Sequence, residues 1–189
     1  PMPTVSGITV MLDSGANSNS KPKHLVQGAL MGSEYAKLLL GKEEPTVGLL
    51  NIGEEATKGN DVVLATYPIL ERMKTINFKG NIEGRDIPKG VVDVVVCDGF
   101  VGNVVLKFAE GLVTGLTQLV KDSIMAGSIF AKIGAMLVKP ALKKMAKRLD
   151  HTENGGAPLL GVNGVFMIAH GSSKAKEIKT AIEIASDLV

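Results

Sequence analysis

Two apolar, strand-forming runs of this chain are each followed by a polar segment punctuated with glycines, here called a tip, and then by a helix-forming stretch. Val47–Asn51 leads into Gly53–Asn60, and Val92–Cys97 leads into Asp98–Asn103. A run that is apolar at nearly every position is typical of a central strand of a parallel sheet. Ligands of open α/β sheets bind at the carboxyl ends of the strands. The sequence therefore predicts a ligand site at one sheet edge, formed by these two tips.

The rest of the chain continues the alternation of strands and helices. Further strands are predicted at Gly7–Leu12, Ile76–Phe78 and Gly164–Ala169, and helices at Pro22–Leu40, Asp61–Lys74, from the second tip to about Lys121, and Lys174–Leu188. This order predicts an α/β fold with a parallel-rich sheet, helices on both faces and right-handed crossovers. We expect residues 1–189 to form a single domain that belongs to a longer protein, because the chain opens at Pro1 and enters a strand almost at once.

Residues 123–150 interrupt the alternation, because they contain no strand pattern. Apolar residues recur at helical spacing on both sides of Pro140, which predicts a projecting hairpin of two helices divided at that proline. Six basic residues and no acidic one lie between Lys132 and Arg148.

Composition excludes several classes of function. A net charge of +2 and the absence of Trp argue against a nucleic-acid-binding domain. The single cysteine, Cys97, excludes an internal disulfide and suits a reducing cytoplasm; we expect it to be a buried thiol at a strand end. We also expect no membrane-length apolar run, no metal site and no cofactor, because no metal-ligand spacing and no dinucleotide motif are present.

The tip Gly53–Asn60 is the first candidate site. Its glycines Gly53 and Gly59, the ammonium of Lys58 and the helix start at Asn60 resemble a phosphate loop, although the order of Lys and Gly differs from a Walker A motif. A surface loop that happens to carry a lysine remains the alternative.

The tip Asp98–Asn103 is the second candidate, because a carboxylate directly after so apolar a run is costly to bury without a use. Asp98 is predicted to act as a base or to orient a ligand, and Asn103 to donate a hydrogen bond near Gly99. The alternatives are a turn former at Asp98 and a helix N-cap at Asn103.

Three further tips supply weaker candidates. Asp13–Asn17 contributes Asn17, and His170–Ser173 contributes His170 as an acid or anion ligand and Ser172 as a donor or an N-cap. The third tip, Gly80–Asp86, follows the strand Ile76–Phe78 and contains Arg85, which can bind a phosphate or form a local ion pair. His24 and His151 are interpreted as surface residues.

Several of these segments together resemble the bacterial phosphate acyltransferase (PlsX) family. The matching segments are Leu12–Asn17, Lys21–Val26, Val47–Glu55 with Lys58–Asn60, Gly80–Asp86, Asp93–Lys107, Gly155–Gly161 and His170–Ser173. The chain departs from the family pattern at Ser14 and around Asn19, and it lacks the N-terminal segment of the longer family protein with its Asp-Ala-Met-Gly-Gly-Asp motif.

The resemblance implies an enzyme that transfers a long-chain acyl group from acyl carrier protein to inorganic phosphate, giving an acyl phosphate for phospholipid synthesis. It also implies a fold similar to phosphotransacetylase and isocitrate dehydrogenase, a homodimer built partly from projecting helices, and peripheral association with the membrane from the cytoplasm. The alternatives are a phosphotransacetylase that acts on an acyl-coenzyme A and a non-enzymatic regulator that responds to acyl groups or lipids.

Within that reaction, Lys58 and the amides of Gly53–Asn60 are expected to hold phosphate, and Asp98 to accept a proton from it or orient it. Asn17, Asn103 and His170 are the expected donors. The acidic carrier protein can be steered by a basic surface, whose residues are Lys139, Lys143, Lys144, Lys147 and Arg148. A solvated basic face over a dimer seam is the alternative for those five residues.

Overall fold

The computed structural model describes residues 1–149, 156–169, 171 and 173–187, without the side chains of 147–149 and 187. The strands are β1 Met2–Thr4, β2 Gly7–Leu12, β3 Thr46–Asn51, β4 Asn77–Glu83, β5 Val94–Val96, β6 Ala157–Pro158 and β7 Met167–Ile168. The helices are α1 Pro22–Leu40, α2 Asp61–Arg72, a 3₁₀ helix Gly84–Lys89, α3 Gly99–Ala126, α4 Ile129–Leu149 and α5 Ala175–Asp187.

Five strands form the main sheet in the order β1-β2-β5-β3-β4. All neighbouring pairs are parallel except β1 with β2. The apolar runs predicted as central strands are indeed the buried ones, and Val47, Leu49, Val94 and Val96 are fully buried. The prediction of an α/β fold with a parallel-rich sheet is therefore confirmed, and the carboxyl ends of β2, β5, β3 and β4 share one edge.

Small residues allow α1 to lie close to the sheet. Gly28 and Gly32 are buried in α1, and a Cβ atom at Gly32 would lie 2.7 Å from Val94 Cγ1. The helix starts with Pro22 and ends at Gly41, whose φ of 63° is the left-handed conformation that glycine adopts without cost. The bounds predicted for α1 are confirmed.

Strand β4 is longer than predicted. Gly80–Glu83, expected to belong to a tip, continues the strand beside β3. The pairing register shifts between Val47 and Leu49, and Gly80, on the β4 side of that shift, has a φ of 94°. Such an irregularity at a glycine is a β-bulge. In the sequence the same glycine indicates a loop, and for this reason the second half of β4 is not predicted.

The two ends of the described chain also differ from prediction. Met2–Thr4, where the sequence analysis predicts no strand, forms the antiparallel edge strand β1. The strand predicted at Gly164–Ala169 is reduced to β7, which pairs antiparallel with β6 in a separate two-stranded sheet. Gly161 and Gly164, with φ of 81° and 124°, interrupt extended backbone before β7.

The chain divides into two compact units, which are described separately. The first comprises Pro1–Val105 and Leu160–Gly164, and the second comprises Leu106–Leu159 and Val165–Val189. Almost all of the described buried apolar side chains lie in the first unit; Ala181 of α5 is the exception.

The predicted division of helices at Pro140 is wrong. α4 runs through Pro140, and the break between α3 and α4 falls at Gly127 and Ser128. Proline removes one backbone hydrogen bond, and the neighbouring turns of this helix continue past it. The new helix is instead started by Ser128, whose hydroxyl accepts from the Ala131 N–H at 3.4 Å.

The expectation of no membrane-length apolar run is also wrong. α3 is long and apolar enough to cross a membrane by length and composition. Its first turns, however, pack on the sheet edge, where Gly99 and Gly102 are buried. Farther along, large apolar side chains of α3 and α4 are exposed, including Phe108, Leu119, Phe130, Met136 and Leu137.

Candidate functional site

The β3 tip, Gly53–Asn60, is closed by the side chain of Asn51. Its Nδ2 donates to the carbonyl of Lys58 at 2.9 Å, and its Oδ1 accepts from the Ile52 N–H at 2.8 Å. Gly59 has a φ of 109°, and a Cβ atom there would lie 2.6 Å from Asn51 Oδ1. Gly59 is thus required for the closure of the tip, both by its backbone conformation and by lack of space.

Lys58 is held by its backbone and free at its side chain. Its N–H donates to the Glu55 carbonyl at 3.1 Å, and that carbonyl also accepts from Asn81 Nδ2 at 2.9 Å. The Lys58 side chain is exposed and has no hydrogen-bond or ion-pair partner among the described residues. Gly53 is buried under this side chain, since a Cβ atom at Gly53 would lie 3.2 Å from Lys58 Cγ. The tip therefore presents an unengaged ammonium on an ordered backbone.

Asn60 ends the tip and starts the next helix. Its Oδ1 accepts from the Val63 N–H at 3.0 Å, which makes Asn60 the N-cap of α2. The backbone N–H of Asn60 and the first N–H groups of α2 remain at the sheet edge. A helix N-terminus at this place favours an anion.

The β2 tip, Asp13–Asn17, is organised by Asp13, which is not among the predicted site residues. Its carboxylate accepts three backbone N–H bonds, from Gly15, Ala16 and Asn17, at 2.7–2.8 Å. The Leu12–Asp13 peptide bond is cis. An Asp that captures the amides after it is a turn former, and the segment Asp-Ser-Gly-Ala-Asn is a signal from which that role can be read.

Both ends of the Asn17 side-chain amide have partners, and one Nδ2 hydrogen is left over among the described residues. Its Oδ1 accepts from the Asn19 N–H at 3.1 Å, and its Nδ2 lies 2.9 Å from His24 Nδ1. The Lys21 N–H also donates to His24 Nδ1, at 3.2 Å. Two donors at one ring nitrogen assign the proton of a neutral His24 to Nε2. His24, interpreted from the sequence as a surface residue, thus holds the β2 tip to the start of α1.

The start of α3 is capped by Asp98, and not by Asn103 as the alternative interpretation had it. Asp98 Oδ1 accepts from the Val101 N–H at 2.9 Å. A Cβ atom at Gly99 would lie 2.7 Å from the Asn17 carbonyl oxygen, and one at Gly102 would overlap the Asp13 carbonyl oxygen. The glycines of this tip are therefore required for contact with the β2 tip.

Asn103 is the fifth residue of α3 and lies beside Gly15. A Cβ atom at Gly15 would be 3.6 Å from Asn103 Cγ. The Asn103 side chain is exposed and has no hydrogen-bond partner among the described residues. Its amide is thus available to a ligand, in contrast to Asp98, whose Oδ1 is already occupied by the helix.

Cys97 is buried at the end of β5, as predicted. Burial, with added contributions from the nearby carboxylates of Asp98 and Asp13, raises the pKa of its thiol to about 12. A thiol with so high a pKa is protonated near neutral pH and is a poor nucleophile.

Other predicted site residues are placed differently. Arg85 Nε lies 2.9 Å from Glu83 Oε2 and Arg85 Nη2 lies 3.1 Å from Glu83 Oε1, which is the local ion pair given above as the alternative. His170 and Ser172 lie outside the described residues, as do the side chains of Lys147 and Arg148. Lys139, Lys143 and Lys144 are exposed on α4.

Taken together, the candidate side chains differ in how they are used. Asn17, Asn60, Arg85 and Asp98 hold backbone or a neighbouring charge, whereas Lys58 and Asn103 are unengaged among the described residues. No group of three metal-ligating side chains occurs in the described ranges. The edge can therefore supply a cation, an amide donor and free backbone N–H groups, which is a donor set for an anion.

Comparison with known proteins agrees with these motifs. The family model described as fatty acid synthesis protein matches residues 1–189. "Phosphate acyltransferase" of Heliobacterium modesticaldum is 57% identical over 97% of this chain and 54% of its own length. The proteins of the same name from Desulfitobacterium hafniense (DCB-2) and Aquifex aeolicus are 55% and 50% identical, each over 100% of this chain and 56% and 55% of their own lengths.

The chain thus spans about half the length of the curated relatives it matches. The match to the family model is nevertheless complete along this chain, and it includes all the tips described above. The chain belongs to the fatty acid synthesis protein (PlsX) family.

Proposed function

We propose that the protein containing this chain transfers a long-chain acyl group from the thioester of an acyl carrier protein to inorganic phosphate. The observation that carries the proposal is the unengaged ammonium of Lys58 on the ordered β3 tip, beside the N-terminus of α2. The names of the relatives support acyl transfer to phosphate.

The reaction is a simple exchange at the acyl carbon. A phosphate oxygen attacks the thioester carbonyl, the new C–O bond forms, and the C–S bond breaks. The proton lost by phosphate ends on the departing sulfur, so the products are an acyl phosphate and a free thiol. The protein has to hold phosphate against the carbonyl and to donate hydrogen bonds to the oxyanion that develops there.

Lys58 and Asn103 suit these two tasks. The ammonium of Lys58 neutralises part of the phosphate charge, and the first N–H groups of α2 add donors nearby. The Asn103 amide is the donor for the oxyanion. Glu54 and Glu55 share the β3 tip, so Lys58 is the residue there that makes an anion tolerable.

Asp98 retains one role in this scheme. Its Oδ1 caps α3, and its Oδ2 is left for the phosphate proton or for orienting phosphate. Asn17 and His170 stay predicted donors, and Gly53, Gly59 and Gly99 serve the site by permitting the close contacts described above.

The test is product formation by the full-length gene product with defined thioesters. Thiol release is followed with an acylated carrier protein and with the matching acyl-coenzyme A, each with and without phosphate, and the acyl phosphate is trapped with hydroxylamine. The proposal predicts phosphate-dependent release that is faster with the carrier protein. Preference for coenzyme A would support a phosphotransacetylase, and binding of acyl groups without any release would support a lipid-responsive regulator.

The basic residues of α4 are proposed to receive the acidic carrier protein. Lys139, Lys143 and Lys144 are exposed and have no ion-pair partner among the described residues, and charges of this kind raise the association rate. Reversal of all three to Glu should raise the KM for the carrier protein and leave the KM for acyl-coenzyme A unchanged. An unchanged KM for the carrier protein would leave a merely solvated face.

We also propose that the exposed apolar side chains of α3 and α4 are covered by the same surface of a second copy, giving a homodimer at the cytoplasmic side of the membrane. Phe108, Phe130 and Leu137 are each more than half exposed, which is unusual for so many large apolar residues. Sedimentation of the full-length protein at micromolar concentration should give a dimer. A monomer that floats with anionic vesicles would instead assign these side chains to a membrane surface.

A further inference from the structure

The side chain of Asn81 stands out among the polar groups near the β3 tip. It lies on β4, is 7% exposed, and its Oδ1 is the buried side-chain nitrogen or oxygen atom left without a hydrogen bond in the described part of the chain. A buried polar atom without a partner is rare and demands an explanation.

The orientation of the Asn81 amide is fixed by the tip. Its Nδ2 donates to the Glu55 carbonyl at 2.9 Å, so a rotated amide would place carbonyl against carbonyl. The same Glu55 carbonyl accepts from the Lys58 N–H at 3.1 Å. Asn81 therefore reaches across 26 residues of sequence to the carbonyl that holds the Lys58 backbone.

Asn51 completes the fixation from the other side. Its Nδ2 donates to the Lys58 carbonyl at 2.9 Å. The backbone of Lys58 is thus tied at its N–H through Glu55 and Asn81, and at its carbonyl through Asn51. The ammonium itself is not tied to any described residue, so its average position depends on this backbone.

We propose that Asn81 is a positioning residue for Lys58: it orders the β3 tip so that the ammonium meets the phosphate oxygens. This inference rests on the proposed function, because it assigns phosphate to Lys58. An apolar side chain of similar size would remove the unsatisfied Oδ1, so the asparagine is explained by the tip it orders and not by the stability of β4.

The test uses Asn81→Leu in the full-length gene product, with Asn77→Leu as the matched control. Asn77 lies on the same strand, and its Nδ2 donates to the Glu44 carbonyl at 3.4 Å in the loop before β3. We expect Asn81→Leu to raise the KM for phosphate about tenfold, the loss of one hydrogen bond to a positioned group, with kcat and Tm nearly unchanged. Asn77→Leu should leave the KM for phosphate unchanged. Asn81→Ala serves as the second variant if leucine does not fit.

A double-mutant cycle separates positioning from a general structural role. If Asn81 acts through Lys58, Asn81→Leu adds nothing to the KM for phosphate in a Lys58→Ala background. The same tenfold rise in both backgrounds, or no rise in either, would overturn the inference.

Hydrogen exchange gives a readout that needs no catalysis. The Lys58 N–H should exchange faster in Asn81→Leu than in the wild type or in Asn77→Leu, because its acceptor carbonyl is no longer held. Unchanged protection would overturn the positioning role. Wild-type protein that releases no thiol with phosphate, while the exchange result holds, would overturn the proposed function and leave the ordering of the tip by Asn81 standing.

Discussion

The two ends of β3 carry lysines that are used in opposite ways. Before the strand, Lys42 Nζ lies 2.5 Å from Asp93 Oδ1, and Asp93 Oδ2 accepts from the N–H and the hydroxyl of Thr46. After the strand, Lys58 has no partner among the described residues. Both lysines are exposed. Lys42 helps to hold the start of β3 to the segment before β5, whereas Lys58 lies on an ordered loop with its ammonium unpaired among the described residues. A polar side chain that has partners within the fold is therefore structural, whereas one without such partners is available to a ligand.

Replacement of Lys58 should have the largest effect. Lys58→Ala removes the cation from the phosphate site, and we expect kcat/KM for phosphate to fall about 1000-fold, the range for truncating one partner of a charge pair. Thermal unfolding should be unchanged, since the side chain holds nothing in the protein. Steady-state thiol release and calorimetry measure the two effects; a loss of stability equal to the loss of activity would contradict the assignment.

Replacement of Asn103 tests the second unengaged group. Asn103→Ala removes a donor to the oxyanion, and we expect kcat to fall about 100-fold with a small change in the KM for phosphate. Asn60→Ala is the comparison, because Asn60 caps α2 and its loss should cost about 1 kcal/mol of stability. A rise in KM without a fall in kcat would place Asn103 in binding and not in the chemical step.

Replacement of Asp93 tests the start of β3, where Asp93 pairs with Lys42 and Thr46. Burial raises the pKa of Asp93, but hydrogen bonds from Lys42 and Thr46 outweigh burial and hold the pKa below the ordinary value of 3.8. Asp93→Asn should lower the free energy of unfolding by about 2 kcal/mol at neutral pH, with activity unchanged.

The same pKa shift gives a pH dependence. A carboxylate with a depressed pKa stabilises the fold above its unfolded pKa, and this stability is lost as pH falls through the folded pKa. The stability advantage of wild type over Asp93→Asn should therefore shrink below pH 3.8. An advantage that is constant down to acidic pH would show that the charge of Asp93 is not the cause.

Replacement of Lys42 should have the smallest effect. Its side chain is 55% exposed, and an exposed ion pair contributes less than about 1 kcal/mol. Lys42→Ala should lower stability by no more than that amount and leave the KM for phosphate unchanged, as chemical denaturation and steady-state rates can measure. A KM effect as large as that of Lys58→Ala would remove the distinction between the two ends of β3.

Much of this architecture could be predicted from the sequence. The apolar runs at Val47–Asn51 and Val92–Cys97 identify central strands because they are buried on both faces, and Pro22 with Gly41 marks the ends of α1. Glycine misled the prediction at Gly80, because a glycine at a bulge and a glycine in a turn give the same sequence signal. Pro140 misled it because an exposed helix can continue past a proline.

The positions of the candidate side chains after the strands could be predicted from the sequence, but the hydrogen-bond partners of most of them could not. Lys58 and Asn103 follow from their places after apolar runs. Whether a side chain is already occupied can depend on a contact with a distant segment, as with Asn81 Nδ2 on the Glu55 carbonyl, 26 residues away. Local pattern carries no information on such long-range partners. For the same reason the close approach that requires Gly99 and Gly102 is visible only in three dimensions.

The most direct test of the central claim is binding of phosphate itself, without an acyl donor. The ³¹P NMR signal of inorganic phosphate is titrated with the full-length gene product as wild type, Lys58→Ala and Lys42→Ala. We predict saturable broadening with wild type and Lys42→Ala, and its loss with Lys58→Ala. Equal broadening by all three proteins would contradict the assignment of the β3 tip as the phosphate site.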